Sequence, residues 1–453
     1  MKITHTQLNS WQASSGLHQW FFNRFTEDDV DCQDVLNALS EDDLLDNAHW
    51  LMDMVGATDD LYCIDGFCEN PKHLFIAGSL FVAGSIHIKG WIRAGKNIES
   101  EKSISAECGI IAGCGIQSGG ILRSKGAIKA GTRINAARSI DAGDSIECGG
   151  SIVSAGDIYA AGGITAGTKC NAMSDEVDAI FSSDDINSFL VMHEFCVISN
   201  GWTDTWDAFK GDNNAFRLQA KGNIISGRNI TSATTIRAGE SVVASENIQC
   251  DWNIHAGGNI TAGHSIQSSN LIWADGGVRA IGKVTANSIR AAHDIDIHGD
   301  VDVKCFLKSD ASINVGGNVV ADKVSVAGSI MVSGDLRCNG HIRGSSIEVG
   351  KGVFAQGNVR TTFDITVGKQ LESGELIEST RGNINAGLRI KAEKSIHAGQ
   401  SIRSGQEIVA GDDYGVFAAT TIPMSQWGIK GQVISIIKPS KLISGYWIEA
   451  LPV

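Results

Sequence analysis

Residues equipped for chemistry are few and dispersed in this chain of 453 residues. The densest group is Asp294-Ile295-Asp296-Ile297-His298-Gly299-Asp300-Val301-Asp302. In a strand, alternate side chains share a face, so Asp294, Asp296, His298, Asp300 and Asp302 would project outward together. Carboxylates with one imidazole suit a hard or borderline metal ion. The simpler reading is a solvated polar face, because no second set of ligands accompanies it. The histidines, among them His255, His264, His293 and His397, are scattered. One could serve as the base of an acyltransferase. Polysaccharide-cleaving enzymes of elongated shape use clustered carboxylates or Lys/Arg on one face, and no such column is evident. Gly113-Cys114-Gly115 lacks the Lys-Ser/Thr ending of a phosphate loop. No catalytic residue and no cofactor are therefore expected.

A second group lies in residues 168–215. Trp202, Trp206 and Phe209 have helical spacing, and Asp184 and Asp185 precede them. Aromatics of this kind anchor protein interfaces, although packing against the rest of the chain is the plainer use. Charge points to the same segment. Residues 1–72 hold 14 acids against 3 Lys/Arg, and residues 168–215 hold 9 against 2. The remainder carries +4 of the total −14. A basic protein partner is thus expected at the two acidic regions. A near-neutral body does not imitate nucleic acid, which needs regular negative charge along an axis, and no nucleic-acid partner is expected.

What positions these residues is a repeat. From Leu74 to Ile164 an aliphatic residue recurs every six positions, sixteen times without a miss. A second array keeps the same phase from Leu218 to Val284, and single-residue shifts then carry it to Ile408. The unit is Ile-x-Ala-Gly-x-x, as in Ile128-Lys129-Ala130-Gly131. Positions one and three point inward along a short strand, position three being small, as at Ala94, Ser118 and Cys148. Position four is a corner where glycine's backbone freedom is expected to be needed. Period six does not fit a helix of 3.6 residues per turn. Such units bury their apolar face only by stacking, so the chain reads as an all-β solenoid.

Large third-position residues fix the number of sides. From Ile289 onward these are Ile297, Val303, Val315, Val326, Val332, Val349 and Val367, and five of the seven, at 297, 315, 332, 349 and 367, fall on every third unit, which predicts a triangular, single-stranded parallel β-helix. Five-residue steps ending at Ile289 and Val324 share one corner; the five-residue step to Ile347 and the seven-residue step to Ile384 share another. The 49 units make roughly 16 coils, or on the order of 75–80 Å of rod at the usual strand spacing. The small residue of left-handed acyltransferase helices stands two places before the aliphatic, where this chain has Lys96, Lys102, Arg138 and Asp144. That favours a right-handed coil.

The expected organisation is a small acidic α-helical cap over 1–72, a first array over 73–167, an insertion over 168–215, a second array over 216–414 and a C-terminal β cap over 415–453. In the cap, Leu44, Ala48, Leu51, Met52 and Val55 form a stripe capped by Ser40 and stopped by Gly56; Leu17, Trp20, Phe21 and Phe25 form another. At the other end, Val433–Ile437 and Leu442–Ile448 read as a hairpin around Lys438-Pro439-Ser440-Lys441. The eleven cysteines show no zinc spacing and read as buried thiols of a reducing compartment. Met1 to Trp11 lacks a basic-then-apolar leader, and no apolar run is long enough to span a bilayer, so a cytoplasmic location away from membranes is expected.

The Ile-x-Ala-Gly array resembles the bactofilins and polymer-forming cytoskeletal β-helices of bacteria, and the β-helical region of flagellar-assembly-protein-A-like proteins. It covers about 73–414. Gly16-Leu17-His18-Gln19-Trp20-Phe21-Phe22 and Ala48-His49-Trp50-Leu51 resemble the leader of uncharacterised bacterial proteins with such arrays. The resemblance implies a β-helix and self-association. Three functions follow as expectations: a non-enzymatic scaffold presenting its acidic parts to a protein, a self-associating structural protein, or an acyltransferase-like or carbohydrate-active enzyme using an outward face.

Overall fold

The computed structural model describes residues 1–27, 29–69, 71–167 and 217–451. The six-residue units each form one short strand, and every third unit pairs in parallel. Three sheets result. Face 1 begins at Leu61–Ile64, face 2 follows at Ile86–Ile88, and face 3 begins at Leu74–Ile76. They hold 19, 18 and 17 strands respectively. The solenoid is therefore longer than the repeat count implied, because both ends add coils that have lost the hexad.

Inward positions stack like on like. Ile110 faces Ile128, and Ile128 faces Ile146. Ile104 and Ile140 are both fully buried. Five of the large third-position residues stack without a gap on face 2, Ile297 on Val315, Val332, Val349 and Val367 in turn, while Val303 lies on face 3 and Val326 on face 1. Both pairs of phase breaks fall where expected: Ile289 and Val324 enter face 1, Ile347 and Ile384 enter face 2. The two arrays join directly, since Ile152 pairs with Leu218, Ile158 with Ile224 and Ile164 with Ile230. One core thus runs the length of the rod, and each buried aliphatic adds roughly 1.5–3 kcal/mol.

The corners are built by two side-chain devices and by lack of space. At most of them glycine is needed for close approach and not for a positive φ, Gly167 (φ +80°) being an exception. A Cβ on Gly113 would lie 2.0 Å from the Gly95 carbonyl oxygen, and one on Gly131 2.0 Å from that of Gly113. Third-position serines bond the corners together. The Ser118 hydroxyl meets the Lys102 carbonyl of the preceding coil (2.9 Å) and the Ile121 carbonyl (3.2 Å), and accepts from the Gly120 N–H (3.3 Å). Ser226 and Ser373 repeat the pattern, and the Cys338 thiol does so more weakly. Where it is Asn, Asp or Ser, the residue just before a strand supplies the second device. Asn97 accepts from the Gly115 N–H (3.0 Å), Asn229 from that of Asn247 (3.0 Å), and Asn247 from that of Ser265 (3.0 Å). These bonds satisfy buried or crowded backbone groups that a sharp corner would otherwise strand.

Helices α1 (His5–Ser10), α2 (Ser15–Arg24), α3 (Cys32–Glu41) and α4 (Leu45–Val55) precede the rod. Leu17, Phe21, Leu36, Leu39, Ala48 and Leu51 form their own core, which also takes in Phe75, the outward residue of the first face 3 strand. Ser40 does not cap α4: Leu44 stands there, while the Ser40 hydroxyl donates to the His73 carbonyl (3.3 Å). Gln33 Nε2 donates to the Phe75 carbonyl (2.7 Å). Leu74 N–H and the Ile76 carbonyl bond the next coil, so α3 serves the groups pointing the other way. The cap thus covers one edge, that of face 3. It ends near Gly56 and not at residue 72, because Leu61–Ile64 already pairs with Ser79–Val82.

The C-terminal hairpin is not formed. Gln432–Ser435 pairs in parallel with Tyr446–Glu449 on face 2, and Leu442–Ser444 lies parallel to Val416–Phe417 on face 1. Lys438 to Lys441 connects faces within a coil, so the alternating runs continue the winding instead of folding back.

Candidate functional site

The carboxylates proposed for a metal are held apart. Asp296 lies on face 2, next to Arg279 (3.4 Å) and Asn314 (3.2 Å). Asp302 lies on face 3, paired with Lys283 (3.1 Å). Asp294 and Asp300 occupy two different corners, where they accept from the N–H groups of Ser312 (2.9 Å) and Asn318 (2.7 Å). His298 is exposed at the corner that carries Asp300. Strand alternation was read correctly, but the segment turns a corner within it. Among the described residues no group of three or more His, Cys, Asp or Glu could hold a metal ion. Trp202, Trp206, Phe209, Asp184 and Asp185 lie outside the described residues.

Other reactive groups are also committed to the fold. Burial pushes the Cys250 thiol up to about 11 and raises that of Cys338. Burial holds His255 and His397 below the ordinary imidazole range. His255 sits edge-on to Trp273 at 5.1 Å. Two grooves run along face 3. One of about 570 Å³ is lined by Asp144, Glu147, Thr165, Arg228, Thr231 and Gln249, among others. The other, about 340 Å³, runs from Met52 and Asp53 past Arg93 to Glu147. No lining residue of either is His or Cys.

The acidic cap is anchored by its own charge. Arg93 donates to Asp53 and to the His49 carbonyl (3.1 Å). Its second contact is His49 Nδ1 at 2.9 Å, which must accept because a guanidinium only donates. Burial first, and Arg93 second, hold the His49 pKa below its usual value. The His49 ring stands edge-on to Phe75 (4.9 Å) and Trp91 (5.1 Å). Lys96 meets Asp59, and Asp43 meets Lys72. Trp91 N–H donates to His73 Nδ1 (3.2 Å), leaving Nε2 to donate to Asp43 (2.9 Å). Hydrogen bonding from these partners lowers the pKa of Asp43 and of Asp59. Sequence reasoning counted these acids as free for a partner. The matching Lys72, Arg93 and Lys96 in the first coils were the available signal.

Acid that remains unpaired clusters where the rod edge is open. Leu61 and Phe67 are 63% and 72% exposed, and Tyr62 stands in register with the buried Leu80. Asp60, Asp65 and Glu69, their neighbours in sequence, are exposed as well. Among the described residues, no strand covers the outer edge of Leu61–Ile64. At the far end, among the described residues, no strand follows Leu442–Ser444 on face 1 or Tyr446–Glu449 on face 2, and Ile443 and Tyr446 are exposed. Its neighbouring charges include Lys430, Lys438 and Lys441, and Lys438 lies 5.9 Å from the Trp447 ring.

Among the described residues, no helix is long and apolar enough to cross a membrane. Residues 1–57 match the family model of the YdhT N-terminal domain, a span that ends where the helices do. No curated protein and no solved structure matches the chain. The likeness to a known family is therefore confined to the helical domain, and the rod rests on its own geometry.

Proposed function

We propose that the protein is a non-enzymatic rod that presents its acidic N-terminal end to a basic protein partner. The observation that carries this reading is the exposed apolar edge at Leu61, Tyr62 and Phe67, interspersed in sequence with the exposed Asp60, Asp65 and Glu69. An apolar centre with a charged rim is the anatomy of a protein interface. The use of polar side chains for corners and ladders supports a structural role over catalysis. Affinity capture from the native cell tests it, comparing the intact chain with Leu61→Lys/Phe67→Lys. Loss of a captured protein from the variant supports the reading; identical captures defeat it.

Self-association is a second reading, favoured by the open edge of face 1 at the N-terminal end and those of faces 1 and 2 at the far end. The acidic N-terminal end complements the lysines at the C-terminal end, and a head-to-tail contact of this kind does not close on itself. The resemblance to polymer-forming β-helices supports this reading. Sedimentation over a concentration series distinguishes it: salt-sensitive growth of the particle is expected, and a monomer at every concentration removes it.

A further inference from the structure

The outward positions of face 1 stack coil upon coil: Arg290 on Lys308, Lys308 on Ser325, Ser325 on Arg343 and Arg343 on Arg360. Adjacent rungs lie ~4.8 Å apart. Arg290, Arg343 and Arg360 are exposed and Lys308 is half-exposed. Lys304 and Lys323 add exposed charge along the corner between faces 3 and 1. None of the five outward rungs of face 1 from Arg290 to Arg360 is a carboxylate; the nearest exposed acids in the chain stand at the corners, Asp322 beside Lys323 and Asp310 after Ser309. Over the same coils face 2 presents Asp296, Asn314, Met331 and Glu348, and face 3 presents Asp302, Val320, Arg337 and Phe354. The positive stripe is therefore particular to face 1, in a chain whose net charge is −14.

Little within the fold compensates it. Lys308 has Asp310 at 3.6 Å and Arg360 has Glu378 at 3.3 Å. Such exposed pairs contribute little. Among the described residues, no carboxylate is within ion-pair distance of Arg290, Arg343, Lys304 or Lys323. Two exposed aromatics flank the stripe, Phe306 at one edge of the face and Phe363 at the other.

We propose that this stripe binds a linear anionic polysaccharide, one carrying a carboxylate or sulfate on each sugar ring, laid along the rod axis. Guanidinium groups take such anions in paired hydrogen bonds. Phe306 and Phe363 offer flat apolar faces to the C–H side of a sugar. An extended acidic peptide fits less well, because its same-side residues recur about every 6.5–7 Å and lose step with the rungs. A single strand of nucleic acid needs successive stacking platforms. Phe306 and Phe363 stand on opposite edges, three rungs or roughly 14 Å apart along the axis. Trp273 is already faced by Arg290 at 5.1 Å and edged by His255.

The test uses the full chain and fluorescently labelled polygalacturonate. Binding is expected at low salt, weakening on the order of tenfold or more from about 50 to about 200 mM. Arg290→Glu/Arg343→Glu/Arg360→Glu is expected to abolish binding with an unchanged circular dichroism spectrum. The matching triple Lys variant is expected to keep it, and Arg337→Glu on face 3 to leave it intact. Absence of binding at low salt, or binding indifferent to the triple Glu variant, overturns the proposal. Equal binding of poly-L-glutamate or oligothymidylate also overturns it, by assigning the stripe to another class of polymer.

Discussion

A side chain in this molecule acts mainly on the coil before or after its own. Ser118 reaches a carbonyl sixteen residues back, and Asn97 an amide eighteen residues ahead. From the sequence, position three read simply as small, because Ala, Ser and Cys share size. That Ser and Cys also bond the corner depends on which carbonyl the winding brings near, and no local pattern reveals it. Asp294 and Asp300 were read as ligands for the same reason: their partners lie one coil away. The thiols give a direct check. Cys250 and Cys338 are buried, with raised pKa values, whereas Cys63 and Cys305 are exposed. Reaction with a maleimide at neutral pH, followed by mass spectrometry, is expected to modify Cys63 and Cys305 promptly. Cys250 and Cys338 should react only as the rod unfolds. Prompt modification of Cys250 would contradict the inward register of its strand.

At the scale of elements, the junction between helices and rod holds a pH-sensitive contact. His49 accepts from Arg93 while neutral, and its pKa is held below 6.5 by burial and by that same cation. Above pH 6.5 the imidazole is neutral folded or unfolded, so docking is at full strength. As the pH falls below 6.5 the unfolded state takes the proton first, and stability declines until the folded-state pKa is passed. Thermal unfolding followed by tryptophan fluorescence is therefore expected to shift to lower temperature on mild acidification. His49→Gln keeps an acceptor without titrating, so it should flatten that part of the profile; an unaltered profile would exclude His49 as the source. The helices themselves were legible in stripes such as Leu17 and Phe21. Their boundary was not, because the first coil, Leu61–Ile64 with Cys68, precedes the first regular hexad at Leu74. The hairpin reading failed for a related reason. Alternation in Val433–Ile437 marks a strand but carries no information on whether the next strand runs parallel or antiparallel.

Across the whole molecule, stability comes from one uninterrupted apolar column per side. Ile260→Ala in mid-rod is expected to cost about 2–5 kcal/mol, read by chemical denaturation, because the neighbouring coils cannot collapse into the gap. A near-neutral result would imply that Ile260 is not enclosed, against its complete burial. The triangular section was readable from Ile297, Val315, Val332, Val349 and Val367, since only a three-sided coil stacks them. The basic stripe escaped the same reading. Its rungs fall at 290, 308, 325, 343 and 360, alternately eighteen and seventeen apart, so a column counted at fixed eighteen-residue intervals walks off the face. Charge partition by segment hid it further, because the rod body sums to near zero while one of its faces does not.

The joint between the two arrays has a practical corollary. Ile164 pairs directly with Ile230, far along the sequence from it. What the stack requires is that each strand enter on the correct side, not that it be near its partner in sequence. Length is then an adjustable dimension: excising one circuit, such as residues 248–265, would shorten the shaft by a single step and leave both termini facing as before. The molecule is in this sense a graduated ruler, on which distances between attached parts can be reset in increments of one strand.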